Sequence, residues 1–308
     1  DVTQRVEAVV RDSAIVASNT STLPITGLAQ ASRRPRQFIG IHFLSPVDRM
    51  PLVEIIRGEQ TGDEALALAL DYVRTIGKTP VVVRDRRGFF TSRVFKSYVR
   101  EGIVCLKDGI APALIENAGR IAGMAVGPLA VADEVSMSLG VRIIQQTRAD
   151  EGAAYVALPG DDVFELMVLQ LDRPGKRAGR GFYEYPQGGR KYLWPGLAAH
   201  FPRTPLQPAV EELKRRLLYA QSVEAARAFD EGVIAGASDG DVASIIGWGF
   251  PAYTGGVFSL IEAVGAERFV AECEELVLRH GPRFEPPPVL RAMAERRCGF
   301  AEMVETFA

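Results

Sequence analysis

The sequence predicts an α/β region followed by helices, and three observations carry that prediction. Short apolar runs alternate with a helical stretch up to about residue 86. After Gly88 the apolar residues fall at i, i+3, i+4 spacing, with few β-branched runs. The helical part then repeats itself at an offset of 123 positions.

Taken in order, residues 3–12, TQRVEAVVRD, have the spacing of a short amphipathic helix, and residues 13–18 read as a strand. That strand, Ala14 to Ala17 at its centre, stops on Ser18-Asn19-Thr20-Ser21. A buried-looking run that opens onto small polar residues reads as a parallel strand reaching its carboxyl end, where open α/β sheets place ligands. The same residues also read as a turn whose side chains satisfy their own backbone. FIGIHFLSP from Phe38, PLVEIIRG from Pro51 and TPVVVRD from Thr79 are three further β-like runs. Before the last of them, TGDEALALALDYVRTIGK has a polar start, helical spacing and a Gly-Lys end, the marks of a helix.

In the helical part, RVFKSYVREGIVCLKDG from Arg93 matches RLLYAQSVEAARAFDEG from Arg216. Glu101 then falls on Glu224, Gly109 on Gly232, and Gly127-Pro128 on Phe250-Pro251. Landmarks kept in this way predict a duplicated helical unit rather than a solenoid. The stretch from Gly179 to Pro208, rich in Gly, Pro and aromatics, reads as a linker. The expected boundaries are an α/β domain over 1–86, a helical domain over 87–185, a linker over 186–208 and a second helical domain over 209–308.

The totals exclude several classes. With 308 residues and a net charge of −2, the charges well mixed, no basic surface for nucleic acid or an anionic membrane is expected. Cys105, Cys273 and Cys298 are too far apart to form a disulfide framework or a metal-ligand spacing, so no metal is expected and a cytoplasmic setting is. No basic-then-apolar leader and no bilayer-length apolar run is present. The sequence starts at Asp1 rather than Met, and a piece of a longer chain is expected.

Of three histidines, His200 lies in the expected linker and His280 near the end, neither beside a polar cluster; His42 sits inside IGIHF. Glu54 lies in PLVEII, where an unpaired buried carboxylate is costly. An imidazole from the preceding strand could pair with it, in the base-and-orienter arrangement that fixes a histidine tautomer. Ser21 and Asn19 could then line the same site. A structural histidine, and a Glu54 bonded to Arg57 or facing solvent, remain open readings of the same residues.

SNTSTLPIT, GIHFLSPVDRMPLVEII, IGKTPVVVRDRRGFFTSRVF and AGMAVGPLAVADEV together resemble the 3-hydroxyacyl-CoA dehydrogenase family, in particular its form in the multifunctional fatty-acid β-oxidation α-subunit. GRGFYEYPQGGRKYLWPGL, GWGFPAYTGGVFSLIEAVG and HGPRFEPPPVL resemble the two helical C-terminal domains of that form. The resemblance implies a partial Rossmann-like NAD-binding domain and two helical dehydrogenase domains. It implies oxidation of (S)-3-hydroxyacyl-CoA to 3-ketoacyl-CoA with NAD as cofactor, with His42 as the catalytic base and Glu54 as its partner. Ser21 is implied to contact substrate and Asn19 to belong to the same motif on the cofactor side. Ser92 and Ser45 stand where the single-function members carry asparagines. A thiolase β-subunit and a second copy of the chain are the implied protein partners. No Gly-x-Gly-x-x-Gly turn follows a strand and opens a helix here, so the pyrophosphate cradle is expected to be missing and the isolated chain to have little activity. Two other functions fit the sequence: a short-chain 3-hydroxybutyryl-CoA dehydrogenase, against which the duplicated helical domain argues, and a non-catalytic helical docking or dimerisation module.

Overall fold

The computed structural model describes residues 2–307. The chain opens with α1 (Val2–Glu7), β1 (Val16–Ser18), α2 (Ile25–Ala29), β2 (Phe38–Phe43), β3 (Leu52–Arg57), α3 (Asp63–Thr75) and β4 (Thr79–Arg84). Helices α4 (Thr91–Lys107), α5 (Pro112–Ile121), α6 (Pro128–Glu134), α7 (Met137–Glu151) and α8 (Asp161–Glu165) follow. A small hairpin of β5 (Tyr183–Glu184) and β6 (Tyr192–Leu193) precedes α9 (Leu197–His200) and the long α10 (Val210–Asp230). The chain continues through α11 (Ala237–Trp248), α12 (Val257–Val264), α13 (Ala266–His280), α14 (Pro288–Arg296) and α15 (Phe300–Phe307). These elements form two compact units, residues 1–95 with 221–308, and residues 96–220.

The first unit is built on a mixed sheet in the order β1-β2-β3-β4. β1 runs parallel to β2, β2 antiparallel to β3, and β3 parallel to β4. Inner strands are covered on both faces, which is why FIGIHF and LVEIIR are nearly continuous apolar runs rather than alternating ones. Ile39, Ile41, Val53 and Ile55 point to one face and pack with Ala69 and Val73 of α3. Residues of the other parity, Gly40, His42, Leu52, Glu54 and Ile56, point to the opposite face. Two glycines let backbone come close there. A Cβ on Gly40 would lie 2.8 Å from side-chain atoms of Ile25 in α2 and of Ile56, and one on Gly247 of α11 would lie 2.6 Å from Leu52. The sheet therefore has one purely apolar face under α3, and a second face, under α2 and α11, that carries the histidine and the glutamate.

Helix α2 was not expected from the sequence. It is five residues long, and Asp85 at the end of β4 starts it by accepting hydrogen bonds from Ile25 N (2.9 Å) and Thr26 N (2.7 Å). The anticipated first helix is shorter than 3–12, ending at Glu7, whose carboxylate bonds to Ser32 and to Arg33 N instead.

The second unit is helical apart from its hairpin. Residues 186–208, expected as a linker, are folded into it. Trp194 N bonds to Phe182 O (2.9 Å), the Arg173 guanidinium lies 4.0 Å over the Trp194 ring, and Thr204 N bonds to Gly109 O (2.9 Å). The aromatics and glycines that look like spacer composition serve a packed strap. Two buried carboxylates hold the segment just before it: Asp133 accepts from Phe182 N and Tyr183 N, and Glu116 accepts from the Tyr183 hydroxyl.

Candidate active site

His42 and Glu54 are direct cross-strand neighbours in the β2–β3 register, so their side chains leave the sheet on the same face. The His42 Nδ1 to Glu54 Oε2 distance is 3.0 Å, with the histidine 5 % and the glutamate 0 % exposed. A carboxylate buried this completely needs its lone pairs filled. Oε1 accepts from Phe90 N (2.8 Å) and Thr91 N (2.9 Å), and Oε2 also accepts from Thr91 Oγ1 (2.7 Å).

Those donors come from the start of α4, whose first N–H groups have no partner inside the helix. Glu54 supplies it. The turn that aims the donors is tight: Gly88 has φ +81° and Phe89, fully buried, has φ +51°. A phenylalanine in the left-handed region is strained, and here the strained residue stands beside the histidine, its ring centroid 6.0 Å from the imidazole.

The hydrogen-bond pattern fixes the tautomer. With Glu54 ionised and accepting at both oxygens, His42 Nδ1 carries its proton, and in the neutral ring Nε2 is the bare nitrogen. A histidine so held can take a proton from a hydroxyl at Nε2 and keep the resulting positive charge beside a fixed carboxylate.

The other residues singled out in the sequence lie beyond the ends of β1 and β2 and in the first turn of α4. Asn19, just beyond β1, accepts from Phe43 N at the end of β2 (2.8 Å) through its side-chain oxygen, leaving Nδ2 to donate. Its neighbour Thr20 accepts from Leu23 N (3.1 Å), so the polar cluster does satisfy part of its own turn. Ser21 lies half-buried in that turn and Ser92 half-buried in the first turn of α4. Ser45 is in the loop after β2, which Lys78 secures by donating to Val47 O and Met50 O, both at 2.7 Å. Arg57 pairs with Asp63 (2.6 Å) and not with Glu54. His200 stacks on Trp194, and His280 lies near Phe284. Thr91, Phe90 and Phe89 were not anticipated as site residues; the sole sequence signal was the Gly-Phe-Phe-Thr run before a helix.

Comparison with known proteins places these residues in context. The NAD-binding domain of 3-hydroxyacyl-CoA dehydrogenase matches residues 1–86, and the C-terminal domain of the same family matches residues 88–185. Among solved structures, 3-hydroxybutyryl-CoA dehydrogenase from Escherichia coli K12 is similar in fold, with a TM-score of 0.77, 21 % identity, and coverage of 96 % of this chain and 78 % of that one. (S)-3-hydroxybutyryl-CoA dehydrogenase from Ralstonia eutropha is 31 % identical, with a TM-score of 0.55 over 60 % of this chain and 65 % of its own length. The dehydrogenase part of multifunctional enzyme 1 from C. elegans has a TM-score of 0.65 at 23 % identity, covering 94 % of this chain and 67 % of that one.

Proposed function

Because the chain belongs to the 3-hydroxyacyl-CoA dehydrogenase family, we propose that it carries out the family's reaction, oxidising (S)-3-hydroxyacyl-CoA to 3-ketoacyl-CoA in fatty-acid β-oxidation, with His42 as the base and Glu54 as its orienter. The observation that supports this most is the buried Nδ1–Oε2 bond at 3.0 Å, which leaves Nε2 to work as a base. His42 accepts the 3-hydroxyl proton at Nε2 as the carbon–hydrogen bond at C3 breaks; in reverse it returns that proton to the forming alkoxide. Glu54 keeps the imidazolium paired while the proton is held. Ser21 and Ser92 are the hydroxyls proposed to meet the substrate.

The match to the family's NAD-binding domain indicates NAD as the cofactor. When bound, NAD supplies the hydride acceptor. The side chains here suit its nicotinamide end, where Asn19, with its oxygen occupied by Phe43 N, has its amide nitrogen left to donate. They do not suit its pyrophosphate: among the described residues no helix start carries the glycine-rich turn, and β1 is an outer strand of the sheet. We therefore propose that a segment outside these 308 residues supplies the phosphate cradle and pairs along β1, and that a cytoplasmic, thiol-reducing setting suits the three free cysteines.

Duplication of the helical unit is part of the reading. Arg93 of the first copy bonds to Glu224 and, in bidentate fashion, to Glu231 of the second; Arg216 of the second copy bonds to Glu101 (2.6 Å) and Asp108 (2.9 Å) of the first. Each residue of the first set lies 123 positions from its counterpart, 93 with 216, 101 with 224 and 108 with 231. The helix ends agree as well. Gly109 N bonds to Leu106 O and Ile110 N to Cys105 O, while Gly232 N bonds to Phe229 O and Val233 N to Ala228 O. The second helical block does not, however, separate long-chain from short-chain readings, since a protein named 3-hydroxybutyryl-CoA dehydrogenase is similar in fold over 96 % of the chain.

Calorimetric titration tests these points. Acetoacetyl-CoA and longer 3-ketoacyl-CoA esters are expected to bind the 308-residue chain, and the length giving the tightest binding identifies the substrate class. NAD is expected to bind far more weakly than to an intact dinucleotide domain. Ordinary NAD affinity overturns the external cradle, and absence of any CoA-ester binding favours the docking-module reading.

A further inference from the structure

We propose that Thr91 is a positioning residue, whose hydroxyl sets how strongly Glu54 holds His42. The inference rests on the reading of His42 as the base, and it adds a group to that site.

Thr91 is the first residue of α4, one place past the capping position, which Phe90 holds, its carbonyl accepting from Val94 N. No capping duty falls to the Thr91 hydroxyl. Arg93 N bonds to Gly88 O (3.0 Å) and Val94 N to Phe90 O (3.0 Å), so backbone carbonyls already serve the first turn. The hydroxyl instead crosses to β3 and donates to Glu54 Oε2 at 2.7 Å, the same oxygen that receives His42 Nδ1. Thr91 is 2 % exposed and Glu54 is fully buried, which leaves little room for water to stand in for either. The strained Phe89, with φ +51°, is what brings the Phe90 and Thr91 donors to bear on one carboxylate.

Sharing has a chemical consequence. Donors to a carboxylate oxygen each draw on its charge, so the Thr91 hydroxyl weakens Oε2 as an acceptor for Nδ1–H. Oε1 has its own two backbone donors and does not compete. Remove the hydroxyl, and Oε2 keeps a single donor in a dry setting; the bond to His42 tightens. Thr91 thus tempers the hold of Glu54 on His42 Nδ1–H while Glu54 keeps the imidazole oriented.

The test is nuclear magnetic resonance of the ligand-free 308-residue chain labelled with nitrogen-15, comparing the parent with Thr91→Val and Thr91→Ser. The His42 ring signals are assigned by their loss in His42→Gln, and those of His200 and His280 report whether the fold is kept. Thr91→Val is expected to move the Nδ1–H proton of His42 downfield, and Thr91→Ser to return it to the parent position. If Thr91→Val does not fold, Thr91→Ala carries the same expectation. A His42 signal that stays put when the hydroxyl is lost overturns the proposal, and so does an equal displacement in Thr91→Ser, since either separates the hydroxyl from the effect. No turnover is measured, so failure of the dehydrogenase reading would leave this result standing, and an unmoved signal would count against Thr91 alone.

Discussion

Glu54 accepts four hydrogen bonds on two oxygens, and none of its donors comes from its own strand. Replacing it by glutamine puts an amide N–H₂ in place of one oxygen, against that oxygen's two donors. Burial makes the mismatch costly, because each donor left without an acceptor loses on the order of 1 to 3 kcal/mol. Glu54→Gln is therefore expected to lower the unfolding free energy by about 2 kcal/mol, read from urea denaturation, as well as to impair the base. A loss below about 0.5 kcal/mol would mean that the carboxylate is not needed to start α4. Half of this arrangement was legible in the sequence. A glutamate inside PLVEII has to be paired, and the only histidine on a neighbouring apolar run was His42. The other half was not legible, because Phe90 and Thr91 lie 36 and 37 residues further on. Nothing in a local pattern says which carboxylate a helix start will find.

The same device recurs among the helices. Asp85 starts α2, Glu116 starts α6 through Leu129 N and Ala130 N, Asp241 starts α12 through Phe258 N and Ser259 N, and Glu262 bonds to Phe300 N at α15. These caps come from other elements, which is why α2 escaped the sequence reading while α3, with its acidic first turn at Asp63 and Glu64, did not. Buried carboxylates of this kind leave a mark on pH dependence. Burial is the main cause that pushes the Asp133 carboxyl from its ordinary 3.8 up to about 6, against the lowering effect of its bonds from Phe182 N, Tyr183 N and the Tyr185 hydroxyl. The folded chain then keeps the Asp133 proton at pH values where the unfolded chain has released it. Its contribution to stability is full below about pH 4 and is lost as the pH rises through about 6. Relative to Asp133→Asn, the parent is expected to lose about 2 to 3 kcal/mol between pH 3.5 and pH 7. Urea denaturation across that range checks it, and a constant difference between the two proteins would refute it.

At the scale of the whole molecule, two ion-pair clusters whose members stand 123 positions apart share one design in different surroundings. Arg216 and Glu101 are 2 % and 1 % exposed at the side chain, whereas Arg93 and Glu224 are 17 % and 20 % exposed. Breaking a fully buried pair strands a charge, at about 3 to 5 kcal/mol, while water can reach the stranded partner in the other cluster. Arg216→Met is thus expected to destabilise the chain by at least about 2 kcal/mol more than Arg93→Met, measured by urea unfolding; equal losses would show that burial does not distinguish the clusters. Composition and periodicity made the α/β-then-helix order readable. The grouping of residues 221–308 with the sheet was not readable, because it depends on close approaches such as Gly247 to Leu52 that join segments almost two hundred residues apart.

The most direct test of the account follows NADH consumption with acetoacetyl-CoA, using the chain extended ahead of Asp1 by a strand, glycine-rich turn and helix able to hold the pyrophosphate. The account predicts turnover by this extended chain and a fall of about 10² to 10⁴ in kcat/KM in His42→Ala, the range expected for loss of a general base. Turnover that survives His42→Ala undiminished would contradict it.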